Sequence, residues 1–388
     1  MTAARQRERG LLLLAGLVLL NGLVAVDLAA KGYLNYKTLA VGGLAVLVAF
    51  GVHFWLVRRQ HGSDPLFLPC GFLLAAVGLT MIYRLTPQLF ILQSAWLIIG
   101  LVAFAASAII GGQYLDMLAP YKYFLASVGI TLLLSAILFG IEVGGNKNWV
   151  VLGPVRFQPS EFAKLFIVLF LAAYFDERRE GLAYATKHYG PLELPQPRFL
   201  APLLLFWGLT MLMLVVQRDL GSALLYFVTT LLMTFLPSGL WSLLAVGGGL
   251  FMVGAVGAYC FYPHVQTRID IWLDPCGDPN GKAYQLVQSL FALGSGHVLG
   301  TGLTYGFPDF IPEVHTDFIF AAIGEEMGLM GSAAVLFIYL IIIYRGFRTA
   351  LTAATTFQAL TAAGLSIFLA LQVILIVGGV TNLLPLTG

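Results

Sequence analysis

The chain has 388 residues, 59% of them hydrophobic and 10% charged, with 21 Lys and Arg against 19 Asp and Glu. A soluble domain carries about 25% charged residues, so a chain this poor in charge, with a mean hydropathy of +0.88, belongs in a membrane. A net charge of +2 without a basic stripe interleaved with aromatics excludes nucleic acid as a partner, and Cys70, Cys260 and Cys276 show neither a disulfide framework nor metal-ligand spacing.

The N-terminal "MTAARQRERG", followed by "LLLLAGLVLL", has signal-peptide character. The apolar run nevertheless continues to about Ala30 without a small-residue cleavage site, which predicts a retained helix. About eleven spans follow in order: roughly 11–30, 35–57, 66–83, 88–110, 121–141, 160–175, 199–216, 220–236, 240–262, 316–344 and 356–386. Unpaired backbone polar groups are intolerable in lipid and no β-barrel alternation is present, so the class is all-α, a polytopic helical membrane protein. If every span crosses once, Arg5, Arg7, Arg9, Arg58, Arg59, Lys122, Arg178, Arg179, Lys187, Arg198, Arg345 and Arg348 fall on one side, which is then the cytoplasm. This predicts a cytoplasmic N-terminus and an external loop over 263–315. Within that loop "AYQLVQSLFALGSG" has the spacing of a short amphipathic helix lying on the membrane surface. The stretch 176–198 reads as a solvated connector on the cytoplasmic side.

Ionisable residues inside spans are costly and are functional candidates. Asp27 and Glu142 sit near helix ends, where water is within reach. Glu161 and Lys164, in "RFQPSEFAKLF", share a helix face; they form either an ion pair locking two helices or one charged wall of an anion cavity. Asp219, in "QRDLGSALL", is placed to cap the helix that follows. Glu325 and Glu326 require either a half-helix against a wet cavity or one neutral, hydrogen-bonded acid. The polar residues gather toward the outer half: Lys147, Trp149, Arg156, Glu161, Lys164, Asp219, Asp278, Lys282, His315 and Asp317. Such a cavity suits a lipid-linked anion, with cations to hold phosphate and a carboxylate to act as base.

"GGNKNWVVLGPVRFQPSEFAK" (144–164), "QRDLGSALL" (217–225) and "YQLVQSLFALGSGHVLGTGLTYGFPDFIPEVHTDFIFAAIGEEMGLMG" (284–331) resemble three blocks of the SEDS family (FtsW, RodA, SpoVE). "VGLTMIYRL" (77–85) and "VTNLLPLTG" (380–388) resemble two more. The resemblance implies a peptidoglycan glycosyltransferase that joins lipid II into glycan strands outside the cytoplasmic membrane, in division or elongation, beside a class B penicillin-binding protein. It also implies that the family's catalytic aspartate, in an Asp-Pro-x-Gly turn before Tyr-Gln, is Asp278 of "DPNGKAYQ". Asp270 and Asp274 would then have turn and positioning roles. No cofactor is demanded, with a divalent cation the one left open. The chain departs from the family at Asn148, where arginine is usual, and at Ile376, where asparagine is usual. It carries an extra two-helix segment over 1–62 ahead of the membrane domain at 63–388. It also ends before the family's Ser-Tyr-Gly-Gly-Ser stretch, as a fragment would. From spacing alone Asp274 and Asp278 could simply make Asx-Pro turns, and the alternative functions are a lipid II flippase or a non-catalytic scaffold for a transpeptidase.

Overall fold

A computed structural model describes all residues except 1–2, 60–62, 144–145, 154, 185, 190–191 and 387–388. The described residues form thirteen α-helices. They are α1 (Ala3–Lys31), α2 (Tyr36–Arg59), α3 (Phe67–Leu85), α4 (Phe90–Ile109), α5 (Lys122–Phe139), α6 (Pro159–Tyr184), α7 (Pro197–Val216), α8 (Leu220–Ser238), α9 (Trp241–Phe261), α10 (Pro263–Leu273), α11 (Tyr284–Ser295), α12 (Ile319–Leu351) and α13 (Thr356–Val380). Ten helices are long and apolar enough to cross a membrane, which makes the protein an all-α, multi-pass membrane protein.

Polar contacts sort the helix ends onto two faces. On one, which we call the loop face, Arg84 meets Glu326, Lys147 N–H meets the Gln217 carbonyl, and Trp272 Nε1 donates to the Asn382 carbonyl at 3.2 Å. On the opposite face Arg345 pairs with Asp64, Thr355 and Gln358 donate to Asp116, and Lys122 pairs with Glu177. Helix α6 links the two. Gln158, just ahead of it, bonds Asp219 on the loop face, while its Glu177 meets Lys122 on the other. Residues 159 to 177 rise about 28 Å at 1.5 Å each, close to the roughly 30 Å of a hydrocarbon core. Helix α6 is thus the eleventh span; its charged ends are what keep it out of the apolar set.

Other expectations are corrected. The region 140–157 is an antiparallel three-stranded sheet of β1 (Gly140–Val143), β2 (Asn146–Leu152) and β3 (Val155–Phe157), so Glu142 lies on an exposed strand and not at a helix end. The expected connector at 176–198 is the end of α6 followed by a hairpin of β4 (Thr186–Tyr189) and β5 (Leu192–Pro195), with positions 185, 190 and 191 outside the described residues. Asp27 does not reach water. It is fully buried and accepts from Tyr83 Oη at 2.5 Å, Asn35 N–H at 2.9 Å and Lys31 Nζ at 3.1 Å, which fastens α1 to α3. The 284–295 helix exists, but it turns Leu286, Val287 and Ala292 against the protein and Ser289 bonds the Val380 carbonyl at 3.0 Å.

Helix α12 breaks at Gly328 (φ 70°, ψ −170°). A continuous helix would pair the Leu329 and Met330 amides with the Glu325 and Glu326 carbonyls. Instead those carbonyls accept from Thr301 and Gly302 at 2.9 and 3.1 Å, and those amides donate to His297 and Val298 at 3.0 and 3.1 Å. The 297–302 segment thus takes up two carbonyls and two amides at the break. The segment before the break is a half-helix, but its paired acids are buried and hydrogen-bonded, not set against a wet cavity. A Cβ on Gly328 would lie 2.3 Å from the Gly300 backbone nitrogen. Gly328→Ala should lower the melting temperature, since left-handed backbone alone costs an L-residue about 1–2 kcal/mol. Gly249→Ala, on an open face of α9, should leave it level or raise it. Thermal melts of the two variants in one detergent check this.

Candidate active site

Asp219 is the N-cap of α8, and its position follows from the local sequence: an aspartate followed by Leu-Gly-Ser can bond the amide three residues on. Its Oδ1 accepts from Ser222 N–H at 3.0 Å. Its Oδ2 accepts from Ser222 Oγ at 2.9 Å and from Asn148 Nδ2 and Gln158 Nε2, both at 3.2 Å. The carboxylate is buried and these donors occupy it. Gln217 anchors the same turn by donating to the Leu133 carbonyl at 2.9 Å. Asp219 thus ties the sheet and the start of α6 to α8. Asn148, where the family usually has arginine, is spent on this hub.

The sheet pairs Val151 with Arg156 and Val150 with Phe157. Side chains alternate along a strand, so Lys147, Trp149 and Arg156 share one face, while Asn148 and Val150 are buried on the other. The side chains of Lys147 and Arg156 are exposed and form no hydrogen bond or ion pair among the described residues. Two free cations beside a half-buried indole can receive a phosphate-bearing amphiphile.

Pro159 opens α6 as its first residue, and five residues farther Lys164 Nζ reaches back to Glu161 Oε2 at 2.6 Å. Lys164 also reaches Gln372 Oε1 at 3.4 Å and lies 5.1 Å from the Phe368 ring centre, so it is held between α6 and α13. Tyr226 of α8 donates to the Ser160 carbonyl at 2.7 Å. The Glu161 side chain is 49% exposed and both partners lie on α6, so this is a half-open pair within one helix and not an ion pair locking two helices.

Asp278 sits on an exposed turn between α10 and α11. Its Oδ2 accepts from Lys282 N–H at 3.0 Å and its carbonyl closes the turn through Gly281 and Ala283. A Cβ on Gly281 would fall 2.3 Å from that carboxylate, so glycine is needed to let it fold back. Among the described residues Oδ1 has no hydrogen-bond partner. The side chains of Asp278 and Lys282 form no hydrogen bond or ion pair with the other predicted residues among those described. Asp317 and His315 sit beside Arg268, a residue sequence reasoning passed over. Arg268 is half-buried on α10, where burial lowers its guanidinium while Asp219 and Asp317 both oppose that. Loss of solvation raises the Asp317 carboxyl, with Glu313 adding and Thr316, His315 and Arg268 opposing. His264 is pushed down by burial and by Arg268 and Arg218, so it is neutral at pH 7. The signal for α10 was Pro263 at a first helical turn, in a stretch read as loop.

Glu325 and Glu326 close the site at the broken helix. Glu326 takes Arg84 Nε at 3.0 Å and Thr304 N–H at 3.1 Å, and Glu325 takes Phe307 N–H at 2.8 Å. Among the described residues no three His, Cys, Asp or Glu side chains come together as a metal site.

A family model described as "Cell cycle protein", covering FtsW, RodA and SpoVE, matches residues 64–388. The chain belongs to this family. The peptidoglycan glycosyltransferase RodA of Mycobacterium tuberculosis is 40% identical over 364 residues, covering 89% of this chain and 76% of that protein. The peptidoglycan glycosyltransferase MrdB of Escherichia coli K12 is 34% identical over 294 residues, covering 74% and 75%. Among solved structures, a chain from work on the structural coordination of polymerization and crosslinking by a peptidoglycan synthase complex superposes with a TM-score of 0.65 at 26% identity, covering 87% of this chain and 89% of that one. The family resemblance and the all-α membrane fold expected from the sequence are both borne out.

Asp219→Ala removes a cap worth about 1 kcal/mol and strands the Asn148 and Gln158 amides at about 1–3 kcal/mol each when buried. A large drop in melting temperature is expected. Lys164→Ala breaks a half-open pair worth about 1 kcal/mol or less and should shift it little. Melting curves of the two variants check the contrast.

Proposed function

We infer that the chain joins lipid II disaccharides into glycan strands, with Asp278 as the general base, and that the loop face lies outside the cytoplasmic membrane with the N-terminus inside. The enzymatic class is the family's: this is a peptidoglycan glycosyltransferase. The assignment to Asp278 is carried by its place in an Asp-Pro-x-Gly turn before Tyr-Gln, as in the family, and a contrast with two other loop-face acids supports it. Asp219 and Glu326 are occupied by donors, while Asp278 keeps one carboxylate oxygen free on an exposed turn.

The chemistry follows from that contrast. The 4-hydroxyl of the acceptor sugar attacks C1 of the donor, Asp278 takes its proton, and the lipid pyrophosphate departs with inversion. A single displacement needs one base, and the leaving group needs cations more than an acid. Lys147 and Arg156 on the sheet, Arg268 and Lys282 on the loop, and Lys164 at the head of α6 supply positive charge around the groove. Trp149 offers an amphipathic surface to the lipid-linked substrate, Glu161 orients Lys164, and His315 and Asp317 line the loop side. Asp219 acts by holding the sheet in place. The turn at Asp278 closes over the substrate when its partners arrive.

A class B penicillin-binding protein is the proposed partner. The similarity to a chain of a synthase complex that coordinates polymerization with crosslinking supports this reading. Residues 1–62 form an added two-helix segment on a membrane domain of 63–388.

Asp278→Asn keeps the shape of the turn but cannot take the proton. General-base catalysis contributes roughly 10²–10⁴-fold, so lipid II polymerisation by the purified protein in detergent should nearly vanish. Melting should be unchanged, and Asp274→Asn and Asp270→Asn should be milder. Polymerisation by Asp278→Asn within a few-fold of the unaltered protein would place the base elsewhere. For orientation, in a cysteine-free background, Asn280→Cys should react with an impermeant thiol reagent in whole cells. Thr352→Cys, on the opposite face, should react only after permeabilisation.

A further inference from the structure

On the face opposite Asp278, α5, α6 and α7 enclose a cavity of about 440 Å³ lined by Tyr123, Tyr174, Arg178, Arg198, Phe199 and Pro202. That volume falls among small-ligand sites, about 300–1,000 Å³, and nothing in the transfer reaction on the loop face uses it. Its walls are built. Tyr174 is buried and donates to the Phe199 carbonyl at 2.5 Å, fixing α6 to the first turn of α7. Arg198 stacks its guanidinium on Phe199, with Cζ 4.7 Å from the ring centre, and makes no hydrogen bond or ion pair among the described residues. Arg178 reaches Glu177 at 3.4 Å, but Glu177 also holds Lys122, so one carboxylate serves two cations. The cavity is left with net positive charge, and two guanidinium forks present the geometry that binds phosphate oxygens in pairs.

One turn farther into the bundle these helices and α8 form a narrow, mostly apolar crevice of about 10 Å³, with Ala126, Ile130, Phe170 and Leu203 among its walls. Phe206 closes the boundary between the two, stacked on Tyr123 at 6.2 Å and packed on Phe170 at 4.9 Å. Leu204 and Leu205 continue the apolar surface outward at 53% and 62% exposure. A cationic chamber at the membrane boundary, continued by an apolar seam too narrow to swallow a chain but open along its rim, matches an amphiphile whose phosphate sits in the chamber and whose acyl chain lies along the seam.

We propose that this chamber binds the phosphate group of an anionic phospholipid headgroup from the leaflet on that face. Free phosphate shares the recognising chemistry, but the apolar seam favours the lipid. The site is separate from the loop-face groove and does not rest on the reading of the reaction.

The test uses the full chain purified in detergent and titrated with phosphatidylglycerol, with bound lipid counted by native mass spectrometry and melting followed in parallel. Phosphatidylglycerol should bind and raise the melting temperature, while zwitterionic phosphatidylcholine should do neither. Each guanidinium lost should weaken binding about tenfold, as for hydrogen bonds to charged groups, so Arg178→Gln/Arg198→Gln should bind no better than a phosphatidylcholine control. The charge-matched Arg58→Gln/Arg59→Gln, on the same face but outside the chamber, should bind as the unaltered chain does. Should the double variant fail to fold, Arg198→Gln alone carries the test, because Arg198 makes no ion pair. Equal phosphatidylglycerol binding by the unaltered chain and Arg198→Gln would overturn the proposal. Protection by inorganic phosphate with none by phosphatidylglycerol would overturn the lipid as the source.

Discussion

A helix broken inside a membrane protein must have its orphaned backbone groups satisfied by protein, because lipid offers no partner. The break at Gly328 meets this constraint at four groups: two carbonyls and two amides that α12 gives up are taken by residues 297, 298, 301 and 302. The 263–315 segment is therefore no free loop laid over the bundle. It is stitched into the backbone of a spanning helix, and the carboxylates of Glu325 and Glu326 add side-chain stitches to residues 304 and 307 and to Arg84 of α3. The glycines at 300 and 328 are what allow the two backbones to approach this closely.

From that seam outward the segment is fixed at a few further points. Ser289 and Trp272 bond the chain at the end of α13, and Gln285 bonds the Pro312 carbonyl at 2.8 Å. Between the fixings, residues 275–282 bond, among the described residues, only within 274–284. A rigid rim with one loosely held turn suits the proposed base: the frame sets where the carboxylate is, and the exposure of the turn leaves it room to move. Asp219 serves the frame and not the turn. Its donors come from β2, the start of α6 and its own helix, so the cationic face of the sheet is positioned by a buried carboxylate.

The spans, the all-α class and the alternation of helix ends between two faces were legible in the sequence, since apolar runs and Lys/Arg bias report on length and sidedness directly. The cap at Asp219 was legible for the same local reason, an aspartate before a helix. The sheet at 140–157 was not. Lys147, Asn148, Trp149 and Val150 do not alternate cleanly between polar and apolar, because one face is wet and cationic and the other holds a polar hub. Helix α6 was cut short at 175 because its charged end looks like a connector until Lys122 is seen beside Glu177. Arg268 was missed because its value lies in proximity to Asp219 and Asp317, residues 49 positions apart on either side of it, and spacing along the chain carries no trace of that. The half-helix at 319–327 was legible as one form the paired acids allowed, but not the wet cavity beside it: the acids are buried and bonded to Arg84 and to the amides of residues 304 and 307.

The central proposal is that the 263–315 segment is a fixed frame holding one mobile turn that carries the proposed base, and amide hydrogen exchange on the protein in lipid nanodiscs tests it most directly. The amides of Thr301, Gly302, Leu329 and Met330 should be strongly protected, those of residues 276–282 should exchange fast, and only the latter should slow when lipid II is added. Equal exchange across both segments, or protection of 276–282 that lipid II leaves unchanged, would contradict it.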